Sequence, residues 1–82
     1  MDNNFRKIAQ LISDFETCGY LDKSASRYVY FSQNECKIDF PHLLLRNVFP
    51  IVFAVKDVFP KFDTHNDWKT DDKQHLILEI KF

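Results

Sequence analysis

The residues best suited to chemistry form an alternating group of carboxylates and an imidazole in the last third of the chain. Asp63, His65 and Asp67 are separated by single residues, and Asp71 and Asp72 follow them. Oxygen and imidazole ligands in a loop can hold a divalent cation. However, the spacing lacks the glycine and the closing glutamate of a calcium-binding loop. The pattern is more typical of a solvated polar loop, and we expect no metal and no cofactor.

The nucleophilic residue types do not form a recognisable catalytic group. The three histidines are scattered, and neither serine nor cysteine stands at a catalytic spacing from any of them. Cys18 and Cys36 are too few for a disulfide scaffold, and isolated cysteines most often behave as small buried hydrophobic residues. We therefore expect no catalytic residue and no enzymatic activity.

A second group of residues combines aromatic and basic side chains. Tyr28 and Tyr30 alternate in a strand-like segment, and we expect Arg27 and Lys37 beside them on the outer face of a sheet. Some proteins stack single-stranded nucleic-acid bases on a face of this kind. A net charge of −1 opposes binding to phosphate, as do three acidic residues expected on the same face: Glu35, Asp39 and Glu79. Nucleic-acid binding is thus the alternative to a solvated mixed-charge face or a dimer surface.

The most apolar stretch, residues 43–59, is the segment that the other elements must cover. A transmembrane helix needs about 20 consecutive apolar residues. This run is shorter, contains Arg46 and Pro50, and is closed by Lys56 and Asp57. We therefore expect no membrane span here.

Two short helices are the predicted structure of this stretch. Proline is tolerated in the first turn of a helix but breaks its interior. Asn47 is a competent N-cap three residues before Pro50. The sequence therefore predicts helices over about 41–46 and 48–59. A strand over 50–56 is the alternative, because this segment is rich in β-branched and aromatic residues.

The N-terminal half is predicted to form a helix and then a hairpin. A helix over about 3–18 has apolar residues at helical spacing, and Gly19 stands where a left-handed residue would end it. The hairpin has its turn at Gln33-Asn34, and its alternating faces agree between the two strands. That register places Phe31 opposite Cys36, Val29 opposite Ile38, and Tyr28 opposite Asp39.

The C-terminal part is predicted to be a polar connector and then a strand. Residues 61–74 carry mostly polar side chains and include Trp68, which either covers the edge of the core or anchors a partner. Residues 75–82 alternate with apolar side chains on one face. The whole chain, residues 1–82, is then one α+β domain, a two-layer sandwich in the order α-β-β-α-α-β. Its helices pack on one face of a three-stranded, mostly antiparallel sheet.

This order of elements is similar to that of type II KH domains, which are RNA binders with a GxxG loop between their two central helices. The corresponding junction here, residues 46–50, contains no glycine. The backbone would therefore approach phosphate less closely than in those domains. The resemblance covers the order of elements alone and implies RNA binding only as the alternative function.

The apolar content predicts a protein that works by association. The chain is 45% hydrophobic and has nine phenylalanines, although a domain of this size buries only about 60% of its unfolded surface. We therefore predict a non-catalytic interaction domain that forms a homodimer or higher oligomer, with an unidentified protein partner as a further possibility. The predicted interface residues are Leu45, Arg46, Phe49, Phe53 and Trp68. An exposed edge strand is the other candidate surface for association.

A cytoplasmic location is expected. Polar residues follow Met1 directly, so no signal peptide is predicted. Two cysteines without a disulfide pattern are typical of a reducing compartment. The content of Asp, Asn, Lys and Phe is typical of reading frames from AT-rich bacteria or mobile elements.

Overall fold

A four-stranded antiparallel sheet with two helices on one face forms the structure. The computed structural model describes residues 3–22, 26–70 and 72–82, without the side chains of 68–70. The strands follow one another across the sheet in the order β1-β2-β4-β3. The α+β class is confirmed, whereas the predicted element order is wrong. The elements are α1 (Asn3–Thr17), β1 (Tyr28–Phe31), β2 (Glu35–Leu44), α2 (Leu45–Val58), β3 (Phe62–Thr70) and β4 (Lys73–Lys81).

Helix α1 agrees closely with its prediction. Its buried residues recur at helical spacing: Ile8, Leu11 and Phe15. Gly19 has a φ of 79°, a left-handed conformation that glycine adopts without steric cost. The N–H of Tyr20 donates to the carbonyl of Phe15 at 2.9 Å, and the N–H of Gly19 donates to the carbonyl of Glu16 at 3.2 Å. These two bonds form a Schellman motif, which ends the helix.

The β1–β2 hairpin has the register that the alternation predicts. Phe31 lies opposite Cys36, Val29 opposite Ile38, and Tyr28 opposite Asp39. The inward residues of β2 meet those of the central strand β4, where the largest block of the core forms. The fully buried side chains of these two strands are Cys36, Ile38, Phe40, Leu76, Leu78 and Ile80.

The helix predicted over 48–59 is present but begins earlier, whereas the separate helix over 41–46 and the strand alternative over 50–56 are wrong. Strand β2 continues through Pro41 to Leu44, and a single helix follows from Leu45 to Val58. Pro41 falls where the β2–β4 register shifts, and a proline is tolerated at such an irregularity. Asn47 is not a cap but the third residue of α2.

Pro50 lies inside α2, where it cannot donate a backbone hydrogen bond. Packing on the opposite side of the helix holds this turn in place, because Val48, Ile51 and Val55 are buried against the sheet. Burial of each of these three branched side chains stabilises the folded state by about 1.5–3 kcal/mol. Their sum exceeds the cost of one missing hydrogen bond. Neither helix in the described part of the chain is long and apolar enough to cross a membrane.

The predicted polar connector over 61–74 is also wrong, because it contains strand β3. This strand pairs with β4 along its length, with Phe62 opposite Ile80. Among the side chains of β3 that the structure describes, Phe62 packs against the core, while Thr64 and Asn66 are exposed although they share its face. The helices do not cover this part of the sheet, so β3 needs no apolar alternation. The sheet therefore has four strands and not three, and the KH-like element order does not hold.

Candidate interaction surfaces

The exposed face of α2 carries three apolar residues one turn apart, which we call the α2 stripe: Leu45, Phe49 and Phe53. They recur at a spacing of four residues, so they share one side of the helix. Their exposed fractions are 37%, 67% and 61%, respectively. The residues that α2 turns towards the sheet are buried. The helix is thus apolar on two sides, and only one of them is used by the core.

Phe49 and Phe53 form an aromatic pair in contact with water. Their ring centroids lie 6.2 Å apart with an interplanar angle of 27°. Their exposures are the highest among the large hydrophobic side chains that the structure describes. By contrast, Phe15 and Phe40 are each 1% exposed. Three other phenylalanines, Phe5, Phe31 and Phe82, are 38–47% exposed, so the pair is the extreme of this group and not its one exposed member.

Charged residues of α2 lie next to the stripe. Arg46 and Asp57 are exposed, one near each end of the helix. Beside Arg46 is an open hollow of about 520 Å³ lined by Leu44, Leu45, Arg46 and Asp72. Four of the five predicted interface residues therefore lie together on α2. The fifth, Trp68, has its backbone in β3 opposite Gln74, and its side chain lies outside the described part. The sequence pattern did not point to Asp57.

The predicted aromatic face lies on the side of the sheet away from the helices. Tyr28 and Tyr30 are 52% and 55% exposed. Tyr30 lies opposite Lys37, as the nucleic-acid alternative requires. Arg27 instead points towards the helical layer, where its Nη2 lies 2.9 Å from Oε1 of Glu16 in α1. The structure thus brings together three of the four residues predicted for this surface.

Carboxylates surround the two tyrosines. Asp39 lies opposite Tyr28, and its Oδ1 is 2.6 Å from Nε2 of His75. Glu79 lies opposite Lys37, and its Oε1 is 3.5 Å from Nε2 of His65. At one end of the face Lys81 donates to Glu35 at 2.7 Å, and this hydrogen bond raises the pKa of Lys81. The face is therefore rich in hydrogen-bond acceptors that repel phosphate.

The candidate cation ligands lie on a strand and not in a loop. Asp63, His65 and Asp67 are alternate residues of β3, so their side chains leave the same face of the sheet. Among the described residues, no three His, Cys, Asp or Glu side chains are placed to share a metal ion.

An apolar groove lies at the edge of the sheet, between α1 and β1. The rings of Phe5 and Phe31 have their centroids 5.2 Å apart at its mouth. Its volume is about 220 Å³, and its lining is Phe5, Ile8, Ala9, Ile12, Val29 and Phe31. Phe5 is 47% exposed, although the helical spacing predicts it on the core face. Nothing in the sequence pattern predicts the groove, because it forms only where α1 meets the edge strand.

Comparison of the chain with protein-family models, with curated proteins and with solved structures finds no match in any of the three. The function is therefore inferred from the surfaces of the chain itself.

Proposed function

We propose that this protein is a non-catalytic interaction domain that forms a homodimer through the α2 stripe. The observation that carries the proposal is the exposed pair of Phe49 and Phe53, with exposed fractions of 67% and 61%. Apolar surface of this kind, when contiguous and flanked by charge, marks interaction sites in small proteins. Leu45 extends the stripe, and Arg46 is the charge at its margin.

The apolar area of the stripe is of the size that a weak dimer requires. A phenylalanine exposed to this extent leaves roughly 100 to 130 Å² in water. Four such rings in a dimer would remove roughly 400 to 500 Å², which contributes about 10 to 12 kcal/mol at 25 cal/mol per Å². The cost of bringing two chains together is about 4–15 kcal/mol. The gain and the cost are of similar size, and the area is well below the roughly 1,200 Å² of a stable interface, so we expect a weak, reversible dimer and not an obligate one.

We also propose a cytoplasmic location. Both cysteines are free thiols, Cys18 exposed and Cys36 buried, as is usual in a reducing compartment.

Light scattering and sedimentation over about 1 to 100 μM test the proposal. We expect the wild-type mass to rise with concentration, and the double variant Phe49→Ala/Phe53→Ala to remain monomeric. Tyr28→Ala/Tyr30→Ala is the matched control, because it removes two comparably exposed aromatic rings from the opposite face. A wild-type monomer at all concentrations would reject the proposal.

Two further outcomes point to the other surfaces. A dimer that survives loss of both phenylalanines but is lost in Phe31→Lys would place association at the β1 edge. Salt-sensitive binding of mixed single-stranded RNA by wild type but not by the tyrosine variant would favour the nucleic-acid alternative. We favour the dimer because Phe49 and Phe53 are more exposed than the two tyrosines, and because Asp39 lies opposite Tyr28 on the face that would have to bind phosphate.

A further inference from the structure

We infer that α2 pairs with α2 of a second copy in antiparallel orientation, so that Arg46 of each chain faces Asp57 of the other. The inference rests on the proposed self-association through the α2 stripe. It adds the orientation of the two helices, their register and a specificity-determining residue, Asp57. The observations that carry it are the positions of two charges and two aromatic rings on one helix.

Arg46 and Asp57 lie on the same flank of the exposed face. With 100° per residue, they are about 20° apart around the helix and about 16 Å apart along its axis. Both are exposed, and no salt bridge joins either of them to another described residue. A two-fold axis perpendicular to the helix places the positive end of one helix beside the negative end of the other. A parallel two-fold pair would instead place each charge level with its own copy on the opposite flank, where no opposite charge faces it.

The same axis brings the aromatic rings together. The midpoint between Arg46 and Asp57 falls between residues 51 and 52. Rotation about that point places Phe49 of one chain about 1.5 Å along the helix axis from the level of Phe53 of the other. The operation that pairs the charges therefore also gathers four phenylalanines at the centre of the interface. One antiparallel register therefore pairs the charges and gathers the rings at the same time. This is the main reason for proposing a second copy of this chain as the partner.

The helix dipole supports the same orientation. Arg46 stands in the first turn of α2 and Asp57 in the last, so each charge lies at the end that the dipole of its own helix disfavours. In an antiparallel pair each charge also lies beside the favourable end of the partner helix. Two charges that are unfavourably placed in the isolated chain, although Lys56 in the last turn is not, thus meet favourable groups in the dimer.

Charge reversal tests the orientation. We expect Arg46→Asp and Asp57→Arg each to weaken homodimerisation roughly tenfold or more, because two symmetric pairs become repulsive. The double variant Arg46→Asp/Asp57→Arg should recover most of the wild-type dimerisation, because both ion pairs are restored although the contribution of the partner helix ends is reversed. An equimolar mixture of the two single variants should form a heterodimer, since both pairs are then attractive. Sedimentation equilibrium gives the dissociation constants.

Folding defects are separable from loss of the interface. Each single variant improves the charge at its own helix end, so the thermal midpoint of the dilute monomer should not fall below that of wild type. Dissociation constants of the single variants equal to wild type would overturn the antiparallel inference. If Phe49→Ala/Phe53→Ala still prevents association in that case, the proposed function stands without the antiparallel orientation. A wild-type protein that is monomeric at all concentrations would reject both the proposed dimer and its antiparallel orientation.

Discussion

The backbone N–H of Leu45 donates a hydrogen bond to the backbone carbonyl of Asp72 at 2.8 Å. Leu45 is the first residue of α2, and Asp72 lies in the turn between β3 and β4. The first turn of a helix has N–H groups without partners inside the helix. Leu44, the N-cap residue, makes no side-chain capping bond. A turn distant in sequence thus supplies the cap that the local sequence lacks.

Substitution of Leu45 by proline should cost stability at a position where proline is usually favourable. Leu44 has φ −62° and ψ 135°, a conformation that a residue before proline readily adopts. The backbone therefore accepts the substitution, and the loss is the bond to Asp72. We expect Leu45→Pro to have a free energy of unfolding up to about 1 kcal/mol below that of Leu45→Ala, because restriction of the unfolded chain offsets part of the lost bond, measured by urea unfolding.

Leu45→Ala is the control because it removes the same side chain and keeps the N–H. Comparison of the two variants cancels any effect of Leu45 on association. If Leu45→Pro is as stable as Leu45→Ala or more so, the bond to Asp72 does not contribute to the start of the helix.

The parts of the fold that the sequence predicts well have local signals. Gly19 marks the end of α1, and the hairpin has matching alternation on both strands. The start of α2 has no local signal, because its cap comes from Asp72. Strand β3 lacks an apolar face because the helices leave most of it uncovered, so polar residues at Thr64 and Asn66 resemble a loop. Both errors arise from contacts between distant segments.

Replacement of Pro50 by alanine should stabilise α2. Proline inside a helix is about 3 kcal/mol less favourable than alanine, mainly through a lost hydrogen bond and a steric clash. Its restriction of the unfolded chain offsets part of this cost. We expect Pro50→Ala to raise the free energy of unfolding by about 1 to 2 kcal/mol and to increase the helical circular dichroism signal. Pro60 is exposed and lies just after the helix, so Pro60→Ala should change the free energy of unfolding by less than about 0.5 kcal/mol.

A decrease in stability for Pro50→Ala would mean that packing of the half-buried ring outweighs the missing hydrogen bond. The helix would then need this proline, contrary to the view that burial of the neighbouring branched residues overrides it.

The candidate interface was partly predictable for a physical reason. Counting the apolar sides of residues 43–59 gives more surface than one sheet face needs, and Phe49 and Phe53 are the residues left outside. Arg27 was misplaced, because it alternates with Val29 and Phe31 and the hairpin pattern therefore puts it on the inner face. Its contact with Glu16 depends on how the edge strand packs against α1. The groove beside β1 was missed for the same reason.

The two thiols should differ strongly in reactivity. Cys18 is exposed, whereas Cys36 is 0% exposed on the inner face of β2. A thiol-specific chromogenic reagent at neutral pH should modify one cysteine rapidly and the second only as the protein unfolds. Cys18→Ser should remove the fast phase and leave the slow one. Two fast phases in the wild type would contradict the burial of Cys36.

Burial of Cys36 should make the protein less stable at alkaline pH. Burial raises the pKa of this thiol from 9.0 to about 11. The folded state therefore keeps the proton at pH values where the unfolded chain has lost it. The resulting stabilisation is fully present below pH 9 and is lost as the pH rises through about 11. At 1.36 kcal/mol per pKa unit, the loss is about 2 to 3 kcal/mol.

Urea unfolding between pH 7.5 and 11, under reducing conditions, measures this loss. Cys36→Val is the control, because it fills a similar volume and has no ionisable group. Other groups titrate in the same window, so the informative quantity is the difference in free energy of unfolding between wild type and the variant. That difference should move in favour of Cys36→Val as the pH rises, because only in the wild type does ionisation of a thiol at position 36 stabilise the unfolded chain. Parallel curves for the two proteins would show that the thiol at position 36 titrates alike in the folded and unfolded chains.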